Sequence, residues 1–223
     1  NEIDDVLRMS FMIVMEDLEG WTQPSGIMQK EEAQSAIRAL AQFHASCSPA
    51  VLADLQLERG SFWSPLTKRP ASEVESMDES WAALVENFPH ELKPLSWIGT
   101  ALRLVSSELD SIASRLTQQY PALIHGDAKA PNMFFRCLRS GEDGEGVLET
   151  KLVDFQWSGV GFGAVDVEYL LATSTDAYLC MDAFGPTPYH RMYYEAWVAA
   201  ARNKTRIGTS AGVCFDGDQD HDG

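Results

Sequence analysis

Leu123-Ile124-His125-Gly126-Asp127-Ala128-Lys129-Ala130-Pro131-Asn132-Met133-Phe134-Phe135 is followed, across a Gly-rich break, by Thr150-Lys151-Leu152-Val153-Asp154-Phe155-Gln156. Asp127 and Asn132 stand five positions apart, on a segment that Gly126 and Pro131 keep from forming a regular helix. Asp154 ends a second apolar run, which puts it at the tip of a strand. One carboxylate can receive or orient a hydroxyl proton, while an amide and a second carboxylate hold magnesium. That set of groups serves phosphoryl transfer. Asp127 alone would read as a loop-capping carboxylate. The spacing Asp-x-x-x-x-Asn followed by Asp-Phe-x makes it a candidate base.

Around this stretch the period of the sequence changes. Within 122–157 the apolar runs are short and flank Gly141 to Gly146, which predicts a β-hairpin. On the N-terminal side, Ser10 to Met15 reads as a buried strand. Lys30 to Ser46 reads as a helix with Ala33, Ile37, Leu40 and His44 on one face. His44 there reads as a satisfied core histidine. Ala50 to Leu57 and Ser72 to Phe88 give weaker helical patterns, and Gly60 to Pro70 reads as loop. Thr100 to Gln119 is the strongest helix, with Leu102, Val105, Leu109, Ile112 and Leu116 on one stripe. Helices are also expected over Ala164 to Thr173 and Tyr189 to Arg202. Gly159-Val160-Gly161-Phe162-Gly163 resembles a dinucleotide loop only superficially, because no βαβ unit follows; it reads as a flexible segment after Asp154. Beyond Asn203 the chain is rich in Gly and Asp, and reads as disordered. Most of Trp63, Trp81, Trp97, Tyr194 and Trp197 are expected in the core.

The bulk numbers exclude some functions. The 223 residues carry 17 basic and 33 acidic side chains, a net of -16. Such a chain is not built for nucleic acid or an anionic membrane. Cys47, Cys137, Cys180 and Cys214 are scattered and form no metal-binding pair. Neither a signal peptide nor an apolar run near 18 residues is visible, so the expected location is cytoplasmic.

Leu123 to Asn132, Leu152 to Gln156 and Asp166-Val167-Glu168-Tyr169-Leu170-Leu171 resemble the aminoglycoside phosphotransferase and choline kinase-like superfamily, most closely its ecdysteroid kinase-like branch. Leu40 to Ala45 is similar to that family's helix before its insertion, and Met15-Glu16-Asp17-Leu18 to its hinge. The resemblance implies an α+β, protein kinase-like fold, mainly the α-rich C-terminal lobe with a small β-hairpin element. It implies ATP and magnesium as cofactors and a small-molecule hydroxyl as acceptor. By the same resemblance Asp127 is the catalytic residue, with Lys129 near the transferred phosphate. Asn132 and Asp154 are the metal ligands. Glu16, Asp17 and Leu18 offer backbone hydrogen bonds to adenine, and His125 and Asp166 give structural support. Residues 1–20 read as the last strand of the small lobe plus the hinge, 21–202 as the C-terminal lobe, and 203–223 as an acidic tail. The glycine-rich loop and strand lysine of the small lobe have no counterpart before Ser10. The chain therefore reads as a piece of a longer phosphotransferase, with weak activity expected of residues 1–223 alone. The alternative is a non-catalytic, kinase-like binding protein. A protein kinase fits worse, because Gly126 stands where phosphorylation-regulated enzymes carry Arg, and no Ala-Pro-Glu follows Asp154. The sequence names neither the acceptor nor the oligomeric state.

Overall fold

A computed structural model describes residues 17–61, 71–138, 147–176 and 187–210. The expected strand Ser10–Met15, the hinge residue Glu16, Trp63, the Gly141–Gly146 turn and residues 211–223 lie outside the described residues.

The first described helix, α1 (Lys30–His44), follows from its apolar spacing and its start. Glu31 and Glu32 sit in the first turn, where the helix dipole favours negative charge. The Glu32 carboxylate also accepts the Gln29 backbone N–H at 2.8 Å. Ala33, Ala36, Ile37, Leu40 and Ala41 are fully buried. A short helix, α2 (Pro49–Leu55), begins at Pro49, whose missing N–H costs nothing at a first helical position.

Among the described residues, four α-helices and one 3-10 turn follow. The pattern read as one helix over Ser72–Phe88 is divided into α3 (Ala71–Glu75) and α4 (Met77–Asn87). The break falls at Ser76, whose hydroxyl donates to Glu73 O at 3.3 Å and so competes with the helix backbone. Next come α5 (Pro89–Leu92), one 3-10 turn, and α6 (Ile98–Gln119). The stripe on α6 forms as predicted, but it is not covered by the described residues. Leu102, Val105, Leu109 and Ile112 are all exposed, and only Gly99 and Asp110 of this helix are buried. Trp97, Tyr194 and Trp197 are likewise exposed rather than core, and Trp81 is half-buried with its indole N–H on Leu95 O.

Among the described residues four strands make two separate two-stranded antiparallel sheets. β1 (Ala122–Ile124) pairs with β4 (Gly159–Gly161), and β2 (Met133–Leu138) pairs with β3 (Val147–Leu152). The second pair is the expected hairpin, in the register Phe135↔Thr150. The first corrects the reading of 159–163 as a flexible segment. Gly159 is squeezed between β1 and residues 58–60, with Val160 N on Glu58 O and Gly60 N on Val160 O, both at 2.9 Å. A Cβ on Gly159 would lie 2.4 Å from Glu58 O. Close packing, not looseness, requires the glycine.

Two further helices lie among the described residues, α7 (Ala164–Ser174) and α8 (Pro188–Ser210). The backbone of α8 continues to Ser210, past Asn203 where the sequence reading places disorder. No proline interrupts Asn203–Ile207, so the helix has no reason to stop there. Ile37, Leu40, Met133, Val167 and Leu170 form the centre of the core. Each large side chain fully buried there contributes about 1.5–3 kcal/mol. Among the described residues no helix is long and apolar enough to cross a membrane.

Candidate active site

The segment between β1 and β2 is shaped by what lies beneath it. Ala128 and Ala130 drop into the core and are buried, so Lys129 between them faces the other way. Asp127 and Asn132 are buried but polar, at 6% exposure each. The Asn132 amide donates to both Asp127 O (2.9 Å) and Asp127 Oδ2 (3.0 Å). Lys129 Nζ lies 2.9 Å from the same Oδ2. Hydrogen bonding to Asp127 holds the Lys129 ammonium above its ordinary pKa; the charge of Asp154 adds to this.

Asp154 reaches the same place from β3. Val153 N donates to Asn132 O at 3.0 Å, which hooks the end of β3 onto the 3-10 turn Ala130–Asn132. The next residue, Asp154, is exposed and adopts φ 62, a left-handed conformation that Asp tolerates better than most residues. The four sequence-predicted groups Asp127, Lys129, Asn132 and Asp154 thus share one region. Both oxygen donors suit a hard cation. Asn132 commits its NH2 to Asp127, leaving its amide oxygen, while Asp154 offers an exposed carboxylate. Among the described residues no three His, Cys, Asp or Glu side chains cluster as a metal site. Magnesium here would draw its other ligands from water and phosphate oxygens, its usual mode.

His125 and Asp166 hold this loop from behind. His125 is fully buried; its Nε2–H donates to Val153 O (2.9 Å) and its Nδ1 accepts the Asp127 N–H (3.3 Å). Asp166, on α7, accepts the His125 N–H at 2.6 Å and the Gly126 N–H at 2.9 Å. Gly126 turns the chain at φ 84, and a Cβ there would meet Trp157 O at 2.1 Å. An Arg could not occupy this position. Thr22 and Gln23, which follow the expected hinge, are tied to the neighbouring strand and loop. Thr22 exchanges backbone bonds with Phe135 (2.9 and 2.8 Å), and Gln23 Nε2 donates to Pro131 O at 2.7 Å. Asp17 is exposed, and the Leu18 carbonyl accepts the Trp21 N–H at 3.0 Å.

Residues 6–201 match the model of the ecdysteroid kinase-like family. The chain belongs to that family. No curated protein and no solved structure matches it. Ecdysteroid kinase-like membership carries a kinase-like fold, with which the helix-rich architecture and its small antiparallel sheets are compatible. Against that background two groups went unrecognised as site residues in the sequence, His44 and Tyr193. His44 is buried as expected, but its Nε2 lies 2.9 Å from Asp166 Oδ2 and its Nδ1 2.8 Å from the Tyr193 hydroxyl. A signal existed for the first pair: His44 and Asp166 each interrupt the apolar face of a helix, and buried polar groups need partners.

Proposed function

We propose that the protein catalyses magnesium- and ATP-dependent phosphoryl transfer to a hydroxyl of an uncharged, largely apolar small molecule. The observation that carries this reading is the sharing of Asp127 Oδ2 by Asn132 and Lys129 at 3.0 and 2.9 Å. Those two bonds orient the carboxylate and leave Oδ1 to accept a proton. In the proposed step the acceptor hydroxyl gives its proton to Asp127, its oxygen bonds to the γ-phosphorus, and the bond to ADP breaks. Lys129 offers a cation to the moving phosphoryl group. Magnesium, held by Asn132 and Asp154, would neutralise phosphate charge. Glu16, Asp17 and Leu18 would present backbone groups to adenine.

The acceptor class follows from a neighbouring cavity of about 310 Å³. Its wall includes Ile124 and Ser61, which adjoin the loop at Gly126, and Leu102, Leu109, Phe162 and Val165. The carboxylate in the wall, Asp110, is paired with Arg59 at 3.2 Å, and the same guanidinium reaches Ser114 at 2.9 Å. A polycationic amino sugar would find little counter-charge here. A hydroxylated apolar ring system fits better, in line with the family's name.

The test uses the natural full-length protein, with ADP release measured against sterol, amino-sugar and choline acceptors. Turnover dependent on the sterol acceptor is expected. Asp154→Ala should abolish it, and Asp127→Ala should lower it roughly 10²- to 10⁴-fold with nucleotide binding spared. Unchanged turnover in Asp127→Ala would remove the catalytic assignment. Nucleotide binding without turnover would favour the non-catalytic alternative.

A further inference from the structure

Asp166 is a buried carboxylate at 1% exposure, and among the described residues no lysine or arginine pairs with it. Its oxygens take three bonds. Two come from the backbone N–H groups of His125 and Gly126, and the third from the ring of His44. A buried carboxylate depends on such donors for its stability and its orientation. His44 in turn is set by Tyr193 on α8, whose ring stands edge-on to it at 5.7 Å between centroids. Burial, with the Asp166 charge behind it, pushes the Tyr193 phenol above its ordinary pKa, so the hydroxyl keeps its proton. It can donate to His44 Nδ1, which leaves the ring proton on Nε2 facing Asp166. The junction has no slack: a Cβ on Gly163 would lie 2.1 Å from the Tyr193 oxygen and 2.6 Å from His44 Nδ1.

We infer that Tyr193 and His44 are positioning residues that act through Asp166 to fix the backbone carrying Asp127, so that helix α8 sets the geometry of the reacting loop. The chain of contacts runs Tyr193 O–H to His44, His44 Nε2–H to Asp166, and Asp166 to the N–H groups of His125 and Gly126. Asp127 is the next residue. His44 and Asp166 are buried, and neither they nor Tyr193 line the neighbouring cavity. A misplacement of a base by a fraction of an ångström to one ångström can cost up to roughly 10²-fold in rate. The inference rests on the phosphotransfer reading only for its kinetic arm.

Two measurements test it. In amide NMR spectra of the folded chain, the His125 and Gly126 N–H resonances should lie downfield, because both donate to a carboxylate. They should move in His44→Leu, move less in Tyr193→Phe, and return in His44→Gln, which keeps an N–H near the Nε2 position. Gly163→Ala should reproduce the Tyr193→Phe shift by crowding the junction without removing a polar group. In the turnover assay His44→Leu should lose roughly 10- to 100-fold in kcat. Its KM values for nucleotide and acceptor should stay unchanged, and His44→Gln should recover most of the rate. Where His44→Leu does not fold, Tyr193→Phe, which removes one oxygen, carries both measurements. Unmoved His125 and Gly126 amides in the folded variants would overturn the inference. So would a lowered melting temperature with kcat unchanged, a result that leaves the phosphotransfer reading intact. If no phosphate is transferred at all, the amide shifts alone decide.

Discussion

The half of the molecule built from α1, α7, α8 and the β2–β3 hairpin differs from the half built from α3 to α6. In the first, the apolar face of α1 is buried, and His44 and Asp166 are buried with partners assigned. In the second, α4 has no buried residue, and the longest regular apolar stripe of the chain, on α6, is exposed. Residues of similar hydrophobicity do different work in the two places. Leu40 fills space under the loop; Leu104, on α6, touches solvent at 67% exposure. The difference teaches that site geometry is secured by the small set of elements directly behind Asp127. The other half contributes the cavity wall and makes few demands on its own packing.

The sharpest way to break this comparison is at its polar centre. Asp166→Asn replaces a carboxylate that accepts three hydrogen bonds, and should cost about 3–5 kcal/mol of stability, as removal of one partner from a buried charged network does. Urea denaturation monitored by tryptophan fluorescence measures it; a loss below about 1 kcal/mol would mean that the network can rearrange freely. A smaller effect separates the apolar surfaces. Leu40→Ala should destabilise by about 2–5 kcal/mol. Leu104→Ala should stay within about 0.5 kcal/mol. Equal losses would show that α6 is covered at Leu104 in solution and that the contrast between the halves is wrong.

The smallest effect concerns the charge that joins α4 to α6. Hydrogen bonds from Thr100 and Arg103 hold the Asp78 carboxyl below its ordinary pKa. A depressed carboxylate contributes stability above its unfolded value, near 3.9, and loses it as the pH falls through the folded value. Thermal unfolding of the native chain and Asp78→Asn should therefore differ slightly at pH 6, and the gap should close as the pH falls below the ordinary carboxylate range. A gap that stays constant would mean that the pair contributes nothing electrostatic.

What could be read from the sequence was chemistry fixed by local spacing. Asp127, Asn132 and Asp154 stand out because a phosphoryl-transfer site needs those groups at those intervals, and the structure brings them together. The β2–β3 hairpin was legible from its glycine-rich turn. The β1–β4 pair was not, because Gly159–Gly161 has one side chain beyond hydrogen and so no strand pattern to detect. The partnership of His44 with Asp166 spans 122 positions, and that with Tyr193 spans 149. No local window contains either. The α6 stripe was read correctly as a periodicity, but its exposure was not legible, because periodicity reports which residues share a side and not whether anything lies against it.

Those long separations bear on how the protein is made. His44 leaves the ribosome 122 residues before Asp166 and 149 before Tyr193. At about 5–20 residues per second, that interval lasts on the order of ten seconds. For that time α1 has no α7 or α8 to cover Ile37 and Leu40, whereas α3 to α6 follow one another and can assemble as they emerge. The reacting loop must then be completed last, by the arrival of α8. Truncations or synonymous changes that slow translation beyond Ser174 should prolong the exposure of α1, the interval in which a nascent chain is most open to chaperones and to aggregation.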